Sequence, residues 1–337
     1  MRTTTTATPR ARLAAAAVAL GSCLALALPA TAAVAADADP VPTVFFGDSY
    51  TSNFGIAPYG NRHALCFQAN ENYPTVAVRT LAAKGVALNV QADVSCSGAV
   101  IGNFWQKQSL GFFQSVPAQE DALNADTRLA VGSLGGNTLG FIRILKQCSA
   151  RLRGAPAVPG EPVDATSPAG QCGSFFSSGG GKTWLEGQFK QVGSDLATMF
   201  QHMAPRSPEA KRVLVGYPRL VPQDTAKCLT AAPGQRDLPF ADVPQDALPV
   251  LDQAQKRLDD TMEKAAADAG ADFVDLYDTT GANTACDGAD RGIGGLFEPS
   301  RVTLLGQPVP FYAHPNEKGR DLQAAQVAAR IQQILKP

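Results

Sequence analysis

The chain has 337 residues, 45% of them hydrophobic and 18% charged, which is ample material for the buried core of a globular protein. A formal net charge of -1 offers no electrostatic grip on nucleic acid or anionic membranes, so no nucleic-acid partner is expected. The near-neutral composition gives no reason to expect more than a monomer.

The first segment has the form of an export signal. Arg2, Arg10 and Arg12 precede an Ala/Leu/Val run from Leu13 to about Leu28, followed by Pro29 and the small residues Ala30 to Ala36. This is the order of a secretory signal peptide, expected over residues 1–36, with cleavage near Ala36 leaving roughly 300 residues. The apolar run is too short for a transmembrane anchor. Leu20-Gly21-Ser22-Cys23 faintly resembles a lipoprotein processing site, but apolar sequence continues well past Cys23, against lipidation. Six cysteines remain after cleavage: Cys66, Cys96, Cys148, Cys172, Cys228 and Cys286. An even number in an exported chain points to disulfides, and six cysteines allow 15 pairings. There is no C-x-x-C, and no histidine stands near a cysteine pair at ligand spacing, so a zinc site is not expected.

The first predicted strand is Thr43–Phe46. It ends in Gly47-Asp48-Ser49-Tyr50, a tight turn at the C-terminal edge of a strand, where open α/β sheets bind ligands. A serine there becomes a nucleophile if a base reaches it and amide donors face the developing oxyanion. His63 follows in a loop near the first cysteine. A second strand, Ala87–Ala92, leads to Ser95-Cys96-Ser97-Gly98-Ala99, where Gly98 brings its N–H close to a ligand without side-chain interference. Phe104, Trp105, Phe112 and Phe113 come next. Core packing is the default reading for them, with a hydrophobic wall for an acyl chain as the alternative.

A third strand, Thr127–Gly132, runs into Ser133-Leu134-Gly135-Gly136-Asn137-Thr138, a sharp turn in which Asn137 offers a side-chain N–H. The stretch from Gly154 to Lys182 is rich in Pro, Gly and Ser. Its Gly179-Gly180-Gly181-Lys182-Thr183 is not a phosphate loop, because the first glycine of that motif would fall on Phe176 and no strand precedes it; it reads as a disordered or lid-like loop. His202 lies in a helical pattern as an ordinary, partly exposed residue. A fourth strand, Arg212–Gly216, and the Pro-rich segment Tyr217 to Pro249 precede an amphipathic helix between Leu248 and Gly270, with Leu251, Ala254, Leu258, Met262, Ala265 and Ala269 at steps of three or four. The fifth strand is Asp272–Leu276. A Gly-rich loop, Gly281 to Pro310, leads to Phe311-Tyr312-Ala313-His314-Pro315-Asn316, where His314 sits just before a final helix striped by Ala324, Ala328, Ile331 and Leu335. Strands alternating with helices predict a three-layer α/β/α sandwich with a central parallel sheet. Loops as long as the three interruptions are usually functional or disordered, and each lies next to cysteines.

Taken together, Gly47-Asp48-Ser49-Tyr50, Gly98, Gly136-Asn137 and His314 resemble the SGNH (GDSL-type) hydrolase family, with its four marker residues in family order. The resemblance runs from Val44 to the final helix. Export, six cysteines, Gly-Gly-Asn-Thr-Leu-Gly-Phe and His-Pro-Asn are further similar to the secreted actinobacterial esterase and lipase branch. The resemblance implies a single flavodoxin-like SGNH hydrolase domain over residues 37–337. It implies a secreted, extracellular carboxylic-ester hydrolase with no cofactor and no metal. Ser49 would be the nucleophile and His314 the general base. The Ser49 and Gly98 amides and the Asn137 side chain would form the oxyanion hole. It also implies sequential disulfides, Cys66–Cys96, Cys148–Cys172 and Cys228–Cys286, each contributing roughly 3–4 kcal/mol in the chain-entropy model.

One position departs from the pattern. Most of the family carries Asp three residues before the histidine, and here that residue is Phe311. A Ser–His dyad follows, with the Phe311 backbone carbonyl orienting the ring; the competing expectation is a remote carboxylate from Asp287, Asp290 or Glu298. The substrate would be an acyl ester, a lipid or an acetylated carbohydrate. The reading from a different class is a non-catalytic, envelope-associated carbohydrate- or lipid-binding protein on the same scaffold.

Overall fold

In the computed structural model of the chain, strand β1 (Val41–Gly47) lies at the heart of a five-stranded sheet with β2 (Leu88–Asp93), β3 (Leu129–Ser133), β4 (Lys211–Val215) and β5 (Asp272–Val274). The structure describes residues 39–60, 63–111, 113–155, 163–304 and 306–336. The signal-peptide reading of residues 1–36 and Cys23, and that of Phe112, lie outside the described residues. The strand order is 2-1-3-4-5 and every pairing is parallel. From β1 the chain runs to β2 on one side and then crosses to β3 on the other, which opens a crevice at the carboxyl ends of β1 and β3. This is the three-layer α/β/α architecture expected from the alternating pattern.

Period-two alternation along β1 builds both faces. Phe45 is buried with Tyr73, Leu81 and Val131 beneath α1 (Tyr73–Ala82) and the terminal helix, through Ala324, Val327, Ala328 and Ile331. Val44 and Phe46 enter the larger opposite core, with Leu196, Met199, Leu258 and Met262 from two long helices. Those helices are α2 (Gly180–Arg206) and α3 (Leu248–Asp268); the terminal helix is α4 (Glu317–Leu335), capped by the Asn316 side chain.

Several boundaries differ from the sequence reading. The fifth strand stops at Val274 because the Asp275 side chain caps a short helix, Leu276–Thr279. The glycine run does not form a loop: α2 begins at Gly180. Glycine disfavours helix on propensity, but a Cβ on Gly181 would stand 2.5 Å from the Phe175 ring, so close packing needs glycine there. Two antiparallel hairpins were not foreseen, Gln108–Gly111 with Gln114–Val116 and Pro299–Leu304 with Gln307–Pro310. Phe113 sits on the first of them, fully exposed and at φ +59°, so it does not join the core. Phe104 is buried edge-on to Phe46.

Disulfides join Cys66 to Cys96, Cys148 to Cys172 and Cys228 to Cys286. No helix among the described residues is long and apolar enough to cross a membrane.

Candidate active site

The turn after β1 depends on a glycine. Gly47 has φ +144°, and a Cβ there would stand 2.1 Å from Thr51 Oγ1 and 2.8 Å from the Ser133 carbonyl oxygen. Gln119, buried and 72 residues along the chain, holds Gly47 on both sides: the Gly47 N–H donates to Oε1 at 2.7 Å, and Nε2 donates to the Gly47 carbonyl at 2.9 Å. The amide side chain thus acts as one rung of an extra strand beside the turn. Nothing in the sequence around Gln119 signals this role.

Asp48 caps the single helical turn Ser49–Ser52, accepting from the Tyr50 N–H at 2.9 Å. Its Oδ2 accepts from the Tyr217 hydroxyl at 2.6 Å, and that hydroxyl accepts in turn from the Gly136 N–H at 2.9 Å. Tyr217 therefore ties the serine turn to the Gly136-Asn137 turn after β3. Burial pushes the Asp48 carboxyl up to about 7, against the opposing pull of its Tyr217 and Tyr50 hydrogen bonds.

His314 arrives from the loop before α4. Tyr312 (φ +50°) and Ala313 (φ +61°) are both left-handed, a strained pair for residues with side chains. The strain curls the loop so that the Phe311 carbonyl accepts from the His314 N–H at 3.1 Å and from ring Nδ1 at 2.8 Å. The Tyr312 carbonyl lies 3.1 Å from the same Nδ1. A carbonyl only accepts, so Nδ1 carries the proton and Nε2 presents its lone pair. Nε2 lies 2.7 Å from Ser49 Oγ. Burial lowers the His314 imidazolium to about 4, with the two carbonyls pulling the other way. The Tyr50 hydroxyl donates to the Ala313 carbonyl at 2.7 Å, linking the serine helix to the histidine loop.

The three alternative carboxylates are engaged elsewhere. Asp287 pairs with Lys227 and Thr284, Asp290 with Lys318, and Glu298 with Arg291 and the Gly295 N–H. Glu298 does act at a distance, its backbone carbonyl accepting from the Phe311 N–H at 2.8 Å.

The loop carrying Gly98 is brought alongside. Asn137 Nδ2 donates to the Ala99 carbonyl at 3.0 Å, which leaves the second hydrogen of the amide for a ligand. Ser52 and Ser97 hydroxyls meet at 3.1 Å, and Gly98 itself has φ +79°. Ser49, Asn137 and His314 open on an apolar cavity of about 60 Å³ lined also by Phe141, Ile142, Leu145, Leu220 and Leu258. Trp105 is not part of that cavity. It stacks on His202 at 5.4 Å, and His202 Nδ1 meets Glu120 at 2.9 Å. His63 caps a turn, its Nδ1 accepting from the Leu65 N–H.

The sequence and the architecture are similar to those of known proteins. The profile of the GDSL-like lipase/acylhydrolase family matches residues 45–322. An esterase from Streptomyces scabiei is 66% identical over 300 residues, covering 88% of this chain and 87% of its own. Lipase 2 from Streptomyces coelicolor is 29% identical over 248 residues, 72% of each chain. In fold, the chain is similar to the extracellular lipase of Streptomyces rimosus, with TM-score 0.60 at 20% identity, covering 86% of this chain and 99% of that one. The chain therefore belongs to the GDSL-like lipase/acylhydrolase family and is an ester hydrolase.

Proposed function

We propose that the protein is a secreted serine esterase working through a Ser49–His314 dyad on short acyl esters. The observation that carries this reading is the 2.7 Å contact from Ser49 Oγ to His314 Nε2, on a ring whose Nδ1–H is committed to backbone carbonyl oxygens. Nε2 takes the hydroxyl proton as Oγ attacks the ester carbonyl. The oxyanion that forms meets the Ser49 and Gly98 amides and the free hydrogen of Asn137 Nδ2. The imidazolium is supported by the Phe311 and Tyr312 carbonyls in place of a carboxylate. It returns the proton to the departing alkoxide, and water then releases the carboxylic acid from the acyl-enzyme by the same route.

The small cavity beside Ser49 supports a preference for short acyl groups. By the same measure a single water takes about 10–15 Å³, so about 60 Å³ holds only a few heavy atoms. Each buried methylene gains about 0.8 kcal/mol, and less once the chain projects out of this half-open cavity. Export rests on the pattern of residues 1–36.

Hydrolysis of p-nitrophenyl esters of about two to about sixteen carbons by wild type and Ser49→Ala tests the reading. The expected result is an optimum at the short end and a loss of at least about 10⁴-fold in the variant. A folded wild type with no activity on any of them would leave a narrow substrate such as an acetylated sugar, or the non-catalytic binding protein.

A further inference from the structure

The hydrogen bonds of the loop that carries Gly98 single out one peptide unit. The Cys96 N–H donates to the Gly47 carbonyl at 3.0 Å, the Ser97 N–H to the Cys66 carbonyl at 3.0 Å and the Ala99 N–H to the Cys96 carbonyl at 3.2 Å. The Gly98 N–H has no protein partner among the described residues, and Gly98 is exposed. An oxyanion donor needs that freedom, because its hydrogen is kept for the ligand. The Gly98 N–H shares a planar peptide with the Ser97 carbonyl, and in a trans peptide the two point opposite ways. Whatever holds that oxygen therefore aims that hydrogen.

The oxygen is held by Gln108. Its Nε2 donates to the Ser97 carbonyl at 2.8 Å, from a side chain in a residue only 5% exposed. A carbonyl only accepts, which fixes the amide with Nε2 toward Ser97. The same Nε2 would stand 3.8 Å from a Cβ on Gly98, so the amide packs beside the glycine itself.

We infer that Gln108 is a positioning residue of the oxyanion hole, which keeps the Gly98 N–H turned toward the oxyanion by holding the Ser97 carbonyl from behind. This rests on the hydrolytic reading above, in which the Gly98 amide is one of the donors. Such a peptide needs a clamp. It turns over by paired changes in Ser97 ψ and Gly98 φ, and glycine, here at φ +79°, takes either sign of φ at little cost. Turned over, it would present an oxygen to the oxyanion and repel it. A donor on the carbonyl also polarises the amide, which strengthens its N–H. The clamp is itself anchored. Gln108 opens the first hairpin opposite Val116, and Val116 is buried against Cys66 and Cys96, whose disulfide fixes the loop two residues before Gly98. Stability alone does not call for glutamine here: its Oε1 is buried and has no hydrogen-bond partner, a cost that an apolar side chain would not carry.

The test uses p-nitrophenyl acetate and its thiono counterpart, in which sulfur replaces the carbonyl oxygen. Sulfur is the weaker hydrogen-bond acceptor, so the oxo-to-thiono ratio of kcat/KM reports the oxyanion donors. It would be measured for wild type, Gln108→Met, Gln108→Leu and Asn137→Ala. Methionine and leucine fill the space and donate nothing. In both, kcat/KM on the oxo ester is expected to fall about tenfold, less than the roughly 10²–10³ of a donor removed outright, and the ratio about threefold or more. Equal losses on the two esters overturn the proposal, since a displaced Ser49 or His314 would slow both alike. Unchanged kinetics overturn it too, and so does failure of both Gln108 variants to fold, which would make the residue structural. Asn137→Ala keeps the reading beneath it separate. A ratio that falls in Asn137→Ala but not in the Gln108 variants defeats the Gln108 role alone, whereas a ratio unmoved by Asn137→Ala defeats the oxyanion hole on which it rests.

Discussion

The behaviour of single residues at this site follows from where protons and hydrogen bonds are forced to go. Lowered to about 4, the His314 ring stays neutral and basic through most of the pH range. The rate constant kcat/KM on a short ester should rise with pH through about 4 and reach its plateau well before the 6.5 of an unperturbed histidine. The sign for stability agrees: between about 4 and 6.5 unfolded His314 binds the proton that the folded ring refuses, so the contribution of this residue to stability rises with pH across that window. A pH–rate profile with its acid limb near 6.5 would contradict this environment. Gln119 offers a second test. Gln119→Leu strands two backbone groups of Gly47 without touching substrate, so kcat should fall by about ten- to a hundredfold with little change in KM. Equal losses in both, or a loss wholly explained by lowered Tm, would reduce Gln119 to a structural role. Asn137→Ala should lower kcat about 10²–10³-fold if its free amide hydrogen meets the oxyanion.

At the scale of elements, α3 carries a buried acid that works against the fold. Asp259 is almost fully buried and its Oδ1 has no hydrogen-bond partner; burial, with Asp275 nearby, pushes its carboxyl up to about 8. Asp48 is raised to about 7. Both are acids whose folded values stand above their unfolded ones. Their neutral forms are favoured by folding, and that advantage is lost as pH rises through about 7 and about 8. Their contribution to thermal stability should therefore fall from about pH 4, where the unfolded carboxyls ionise, up to about 7 and about 8, and level off above. Asp259→Asn should recover part of it at about pH 9, with Tm up by about 2–4 °C for each kcal/mol relieved, and gain less at about pH 5. A Tm gain of the same size at both pH values would show that the charge is not the cause. The same helix was readable beforehand, because Leu251, Ala254, Leu258 and Met262 recur on one face. α2 was half hidden, since it opens on glycines that local propensity assigns to a loop and that packing against Phe175 assigns to a helix.

Across the whole molecule, the site is assembled from parts that are far apart in the chain. Ser49 and His314 are 265 residues apart, Asp48 and Tyr217 169. Three disulfides close loops whose ends are separated by 30, 24 and 58 residues; the first encloses α1 and β2, the last α3 and β5. Reduction before heating should lower Tm substantially, since removing native disulfides typically costs about 2–5 kcal/mol each in small secreted domains. A Tm unaffected by full reduction would mean that the packed core alone holds these loops.

What could be read without coordinates was what period and local chemistry encode. Five strands, two long helices and the parallel sheet follow from apolar repeats of two and of three to four. Ser49, Gly98, Asn137 and His314 stand in short motifs, each at a strand end or a helix start. Other features had no local signature. The Gln119 clamp, the Tyr217 bridge and the stacking of Trp105 on His202 each join segments separated by 72, 81 and 97 residues or more. The side chains in them are ordinary in their own surroundings, and they acquire a role only from what folding places opposite them. The curl that turns the Phe311 carbonyl onto His314 is of the same kind. Two left-handed residues with side chains are unfavourable locally, and only the packed sheet edge around them holds the backbone there.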